Sequence, residues 1–318
     1  MALLTPLSLE AIRRLSGEFG VDVERVEALA LGSVNSNFRL TTRDRHTYFA
    51  RLYEEQGLEG ARAELRLLDG LADVGVPVPR ALRSAGGGVP LHAGKPFAVF
   101  PWVKGEILCL ARLEPVHCRE VGAALARVHL ASSTLPELGP GRFQPADMLA
   151  RLESVQRTST RPDALAAAAE VTGLLTAYRA RRESGLPSGV VHGDLFRDNV
   201  LFQGDRIAAL LDFESVFHGP FVYDLLVTVE AFCFRDAFDL GLAGALVEGY
   251  ESVRPLEERE RKAYRVEGAL ACLRFATTRI TDFLLRTEAG ETPRRDYRRF
   301  LSRLSALEAG ALDSLFRA

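Results

Sequence analysis

The sequence predicts an α+β chain in two lobes. An antiparallel-sheet N-terminal lobe spans about residues 1–100, and a mostly helical C-terminal lobe spans 106–318, joined by a short hinge at 101–105. Three observations predict this. Residues 38–41 and 47–52 alternate apolar with polar side chains on either side of the charged turn Arg43-Asp44-Arg45, the signature of an antiparallel hairpin. The pattern breaks at Pro101-Trp102-Val103-Lys104-Gly105, and from there to Gly189 the character is helical. A chain of 318 residues has room for two lobes, and 47% hydrophobic with 26% charged residues excludes a disordered or fibrous protein.

In order along the chain, Ser8 is an N-cap, and Leu9, Ile12, Leu15 and Phe19 form an apolar stripe stopped by Gly20, which predicts an opening amphipathic helix. The hairpin follows. A second helix is expected over about 58–74, with Leu65, Leu68, Leu71 and Ala72 as its apolar face. Val76-Pro77-Val78-Pro79 cannot continue it, because each proline lacks an N–H and restricts its predecessor. Gly86–Gly88 forms a turn before a strand at 96–100. Pro115 and Pro162 sit where a first helical turn tolerates proline, so helices are expected over about 115–131 and 162–183. Short strands return at 189–192, 200–202 and 207–211, the last two joined by Gln203-Gly204-Asp205, and the remainder from about 222 is helical and arginine-rich.

The net charge of −2 offers no global attraction to nucleic acid or to an anionic membrane. Neither is expected as a partner, and oligomeric state stays open. Cys109, Cys118, Cys233 and Cys272 lack the paired short spacing of a metal or redox site, so four buried reduced thiols are expected. The first ten residues lack the pattern of a signal peptide, and no apolar run approaches the roughly 18 to 20 residues of a membrane span, so a cytoplasmic location is expected. Lysine occurs only at 95, 104 and 262, which restricts the residues able to do a lysine's work.

The chemistry concentrates in Val191-His192-Gly193-Asp194-Leu195-Phe196-Arg197-Asp198-Asn199-Val200-Leu201-Phe202, followed by Leu210-Leu211-Asp212-Phe213-Glu214. An aspartate five residues before an asparagine, then a hairpin, then a second aspartate ending an apolar strand, is the layout of a phosphoryl-transfer loop. A carboxylate must accept or orient the hydroxyl proton of an acceptor, and hard oxygen ligands must hold Mg²⁺ against nucleotide phosphates. An Asp/Asn-rich turn that satisfies backbone groups explains any one of these residues, but not all of them in register between strands.

These residues resemble the protein-kinase-like small-molecule phosphotransferases, the superfamily of aminoglycoside phosphotransferases, choline kinases and homoserine kinases. The resemblance implies a bilobal protein-kinase-like fold with ATP and Mg²⁺ as cofactors. By it Asp194 matches the catalytic aspartate, Asn199 and Asp212 match the metal ligands, His192 braces the loop as a core histidine, and Asp224 matches a structural aspartate after a Gly-Pro turn. Where a protein kinase usually carries a lysine stands Phe196, with the charge next door on Arg197. Beyond Asp212 the chain reaches Gly219-Pro220 within a dozen residues, which leaves no room for a long activation segment and favours a small-molecule acceptor.

On the nucleotide side, Gly32-Ser33-Val34-Asn35-Ser36-Asn37 lies where this fold lays a loop over the phosphates, with Ser33, Asn35 and Ser36 as donors. A polar hairpin turn is the plain alternative. Arg51 takes the strand position that holds a lysine in most relatives. Its carboxylate partner is expected to be Glu64, for which an exposed helix charge is the alternative. Residues 98–103 match the hinge whose backbone contacts adenine, with Pro101 and Val103 the contact positions.

For the acceptor, four stretches resemble homoserine kinases: residues 34–38, 52–54, 194–202 and 271–280. The resemblance implies phosphorylation of L-homoserine to O-phospho-L-homoserine, a precursor of threonine. Alternatives are an aminoglycoside, choline or amino-alcohol acceptor, or a non-catalytic nucleotide-binding relative. Arg274 and Arg279 suit an amino-acid carboxylate better than a polycation, and the lone Trp102 belongs to the hinge rather than to an aromatic cage for choline. Packing pairs with Asp282 or Glu230 are the alternative for both arginines.

Overall fold

The computed structural model describes residues 5–29, 34–135, 138–287 and 295–317. The chain divides into two compact units, Met1–Gly105 with Ala208–Leu211, and Glu106–Ile207 with Asp212–Ala318. The short piece at 208–211, expected in the C-terminal lobe, therefore belongs to the first unit.

In the first unit, helix α1 (Leu9–Gly17) opens where Ser8 Oγ accepts from Ala11 N at 3.1 Å, satisfying one of the helix's orphan donors. A five-stranded sheet follows in the order β1-β2-β3-β5-β4, with β1 Val23–Leu29, β2 Ser36–Thr42, β3 Thr47–Leu52, β4 Leu91–His92 and β5 Lys95–Pro101. All pairs are antiparallel, and Asn37 faces Arg51 across β2 and β3. Ile12, Leu15, Phe38, Leu40, Ala50, Leu52, Phe97 and Val99 form the core of the unit, each side chain removed from water contributing on the order of 1.5–3 kcal/mol for the larger ones. Strand β1 was not expected. Its register shifts between Val23 and Arg25, and this bulge breaks the period-two alternation that marks a strand in sequence.

Helix α2 (Leu58–Asp73) buries Ala61, Glu64, Leu67, Leu68 and Leu71, so its inner face is turned from the expected Leu65 and Ala72 toward Glu64. Glu64 shares this face with Leu68 and Leu71, as a partner for Arg51 requires.

The second unit holds α3 (Pro115–Ala131), α4 (Pro145–Thr158), α5 (Pro162–Arg181), α6 (Phe221–Phe232), α7 (Leu240–Glu251), α8 (Glu258–Asp282) and α9 (Arg298–Glu308). Pro115, Pro145 and Pro162 each open a helix. Helices α3 and α7 approach so closely that a Cβ on Gly122 would lie 2.0 Å from Leu246 O, and one on Gly249 would lie 2.1 Å from Arg119 O. All twelve residues of α6 are buried, which makes it the central post of the unit. Strand β6 (Ser188–Val191) pairs antiparallel with β9 (Phe217–Pro220), a strand too short to be expected, while β7 (Val200–Gln203) and β8 (Arg206–Leu210) flank the turn at 204–205.

All four cysteines are free; Cys118, Cys233 and Cys272 are buried, but Cys109 is exposed, contrary to expectation. Among the described residues no helix is long and apolar enough to cross a membrane.

Candidate active site

Strand β6 delivers the chain into His192-Gly193-Asp194. Gly193 has φ +74°, and a Cβ there would lie 2.8 Å from Ser215 O, so only glycine allows this turn. Asp224, in the first turn of α6, accepts from His192 N at 2.7 Å and from Gly193 N at 2.8 Å, gripping the loop by its backbone. Asp224 is itself held by His129 Nε2 at 3.0 Å, and Tyr250 Oη lies 2.7 Å from His129 Nδ1. Arg254 donates to Tyr250 Oη at 3.1 Å and pairs through both terminal nitrogens with Glu260.

Burial works against the charge of Asp224, but the donated hydrogen bonds outweigh it and hold its carboxyl below the usual range. Burial lowers His129, with Asp224 opposing. The pair is consistent with an ionised aspartate and a neutral imidazole that donates from Nε2 and accepts from Tyr250 at Nδ1. His192 is fully buried; its Nδ1 accepts from Asp194 N at 3.3 Å, and its ring lies 4.5 Å from that of Phe213.

On this loop Asp194 retains 34% of its side-chain exposure, and its Oδ1 lies 3.2 Å from Arg274 Nη1. Burial raises the Asp194 carboxyl, Arg274 opposes, and the charge of Asp212 raises it further. Asn199 donates from Nδ2 to Asp194 O at 2.8 Å, which fixes the amide and leaves Oδ1 as its acceptor. Asp212 adopts a left-handed conformation with φ +63°, uncommon for a non-glycine residue. Its Oδ1 is buried without a hydrogen-bond partner among the described residues.

An orphaned carboxylate oxygen, an oriented amide oxygen and two carboxylates that repel one another form a hard-oxygen set suited to a divalent cation. Among the described residues no three His, Cys, Asp or Glu side chains gather to hold an ion alone, so such an ion would depend on oxygens of a bound nucleotide as well.

Arg274 and Arg279, expected near the acceptor, and Arg197 on the catalytic loop differ in their surroundings. Arg274 is buried, sandwiched with its guanidinium carbon 4.2 Å from the Phe143 ring centre and 3.9 Å from that of Phe275. It pairs with Asp194, not with the expected alternatives; Asp282 pairs with Arg151 at 3.8 Å, and Glu230 makes no ion pair among the described residues. Arg279 is half-buried, five residues further along α8, and makes no ion pair among the described residues. Burial first, then the Arg295 charge, push it down to about 10. Arg197 stands in a short turn at 197–199, half-buried.

In the first unit Arg51 Nη1 lies 3.3 Å from Glu64 Oε1, with side-chain exposures of 13% and 5%, and Arg51 Nε donates to Asn37 Oδ1 at 3.4 Å. Glu64 is not the exposed helix charge of the alternative. The side chains of Asn35 and Ser36 are buried, against the expectation of donors turned to phosphate. Asn35 Oδ1 accepts from Glu54 N at 3.0 Å, and Ser36 Oγ donates to the Glu54 carboxylate, which also pairs with Lys95. They brace the start of β2. Ser33 lies outside the described residues. Pro101 closes β5; after it Trp102 N donates to Thr47 O at 3.2 Å, and Arg39 lies 4.8 Å over the Trp102 ring. Val103 follows, half-buried and outside any strand.

His129, Tyr250 and Arg254 were missed, although they anchor Asp224. The contacts of His129 with Asp224 and Tyr250 join positions 95 and 121 residues apart, and no local pattern marks such pairs; Arg254 joins them through the nearby Tyr250. Arg295 was also missed, one of many arginines in a chain where lysine is rare.

Residues 25–261 match the phosphotransferase enzyme family. A homoserine kinase of Mesorhizobium japonicum is 33% identical over 89% of this chain and 88% of its own length, and one of Methylorubrum populi is 35% identical over 89% of each. Among solved structures, an amicoumacin kinase in complex with AMP-PNP, Ca²⁺ and its ligand superposes with a TM-score of 0.72 at 16% identity, covering 96% of this chain and 93% of that one. At that identity the likeness shows the fold, which is the protein-kinase-like phosphotransferase fold expected from the sequence. With the loop Asp194–Asn199 in place and a family match over most of its length, this chain belongs to the phosphotransferase enzyme family and is similar to its homoserine kinases.

Proposed function

We propose that this protein transfers the γ-phosphoryl group of ATP, bound with Mg²⁺, to the side-chain hydroxyl of L-homoserine, giving O-phospho-L-homoserine in the cytoplasm. The observation that carries this reading is the pairing of a backbone-anchored Asp194 with an orphaned Asp212 oxygen, in a chain similar to curated homoserine kinases. Asp194 orients the acceptor hydroxyl and takes its proton as the oxygen attacks. Asn199 and Asp212 would hold Mg²⁺, which when bound neutralises charge on the phosphates. Arg51, held by Glu64, presents a guanidinium to phosphate oxygens, and the backbone at Pro101 and Val103 receives adenine. An arginine receives the acceptor's carboxylate, with Arg197, Arg274 and Arg279 as the candidates, so binding energy remote from the reacting hydroxyl is converted into its alignment.

A coupled ADP-release assay over a panel of hydroxyl acceptors tests this. L-homoserine should give the highest kcat/KM, and L-serine, whose hydroxyl falls one bond short, should be much poorer. Faster turnover of choline or kanamycin would overturn the acceptor assignment.

A further inference from the structure

Two guanidinium groups at the end of α8 share one aromatic ring and, among the described residues, have no carboxylate partner. The guanidinium carbons of Arg279 and Arg295 each lie 5.1 Å from the Phe283 ring centre, and Arg279 also lies 5.9 Å from that of Phe300. Among the described residues neither makes an ion pair. The carboxylates next to them in sequence are engaged elsewhere: Asp282 with Arg151 at 3.8 Å and Asp296 with Arg298 at 3.5 Å. Two like charges kept close on a shared apolar ring repel one another unless an anion joins them. Arg279 is half-buried and Arg295 exposed, so a solute can reach both. Arg279 lies over the Phe300 ring, whose centre is 6.4 Å from that of Phe196 on the catalytic loop, and Arg274, earlier on α8, pairs with Asp194, so Arg279 stands near the loop that carries the reacting carboxylate.

Arg274 is built differently. It is sealed between Phe143 and Phe275, its Nε is shut off from solvent without a partner among the described residues, and its Nη1 is engaged by Asp194. One terminal nitrogen of Arg274 is therefore committed to the reacting carboxylate.

We infer that Arg279 and Arg295 together receive the carboxylate of the acceptor, and that Arg274 is a positioning residue which sets the orientation of Asp194. This rests on the amino-acid acceptor reading above and divides the work of its candidate arginines. The planar forks of two arginines suit a carboxylate held from two sides, and the acceptor's hydroxyl then extends back toward Asp194.

The test compares kcat/KM for L-homoserine with that for L-homoserine amide, which keeps the hydroxyl and the amine but lacks the negative charge. Wild-type enzyme should prefer homoserine strongly. Arg279→Gln and Arg295→Gln should each reduce that preference roughly tenfold to a hundredfold, mainly through KM for homoserine, with KM for ATP unmoved. Arg279→Lys should restore part of it. Arg274→Gln should lower kcat for both acceptors alike and keep the preference. Arg295 is exposed, so its substitution leaves the fold intact and the test decisive even if Arg279→Gln folds poorly. A preference that survives both Arg279→Gln and Arg295→Gln, or that collapses in Arg274→Gln alone, overturns the assignment while homoserine kinase activity stands. A wild-type enzyme that phosphorylates no homoserine, or the amide equally well, overturns the acceptor reading and this site with it.

Discussion

The catalytic loop and the arginine corner at the end of α8 belong to one unit and are finished in opposite ways. Beneath the loop a chain of partners runs unbroken: Asp224 takes two backbone amides and His129, His129 takes Tyr250, and Tyr250 takes Arg254, which Glu260 pairs in turn. At the corner Arg279 and Arg295 stand over Phe283 without a carboxylate partner among the described residues. A group that must hold one geometry through every turnover is surrounded by partners, whereas a group that must receive a ligand is left with unused capacity. Asp194 and Asp212 sit at the boundary, the first anchored through its backbone and the second with an oxygen to spare.

The largest expected effect tests the reacting side of this contrast. Asp194→Asn keeps the size and the anchored backbone but cannot take the hydroxyl proton, so kcat should fall by about 10² to 10⁴ while nucleotide affinity persists. A kcat near wild type in this variant would remove Asp194 from the reaction. Breaking the braced side should instead cost stability: Asp224→Ala strands two backbone amides and His129 in a dry interior, with an expected loss of about 3–5 kcal/mol in urea unfolding. A loss under about 1 kcal/mol would mean that the loop is held by other contacts.

A third prediction concerns a buried group that neither region answers. Glu230 on α6 is buried with both carboxylate oxygens lacking a hydrogen-bond partner among the described residues. Burial pushes its carboxyl from an ordinary 4.5 up to about 8, with Cys272 and Arg303 opposing. Between those values the native chain keeps a proton that the unfolded chain has lost. Stability should therefore fall as pH rises through this window, by about 1.4 kcal/mol per unit, and be level with respect to Glu230 below it. Glu230→Gln should flatten this slope in thermal unfolding between pH 5 and pH 8; an unchanged slope would assign it to another group.

The smallest effect separates phosphate binding from acceptor binding. Arg51→Ala should raise KM for ATP about tenfold or more and leave KM for the acceptor nearly unchanged, with Arg51→Lys recovering part of the loss because it keeps charge without the fork. Equal changes in both constants would make Arg51 a structural partner of Glu64.

The parts legible in the sequence are those whose cause is local. Pro115 and Pro162 marked their helix starts because a missing N–H is harmless only in a first turn. Strands β2 and β3 were visible because one face is buried and the other is not. Strand β1 escaped because a bulge shifts its register. Asn35 and Ser36 have the residue types of phosphate donors, yet they serve Glu54 inside the sheet. Residue type states what a side chain can do, and burial decides whether it is free to do it.

The sequence by itself determined the two-part α+β plan, through the change of pattern at 101–105, and the phosphoryl-transfer loop from Asp194 to Asp212, which is written in spacing along one short stretch; resemblance at its motifs added the likeness to small-molecule phosphotransferases. Only the tertiary structure decided which arginine meets Asp194, which pair stands without an anion, and that His129, Tyr250 and Arg254 hold the loop through Asp224. The contacts of Arg274 with Asp194, and of His129 with Asp224 and Tyr250, join residues 80, 95 and 121 positions apart. They come together when helices such as α3 and α7 pack at the distance that Gly122 and Gly249 permit, and the free energy of a charge depends on the partners and the water left around it after that packing.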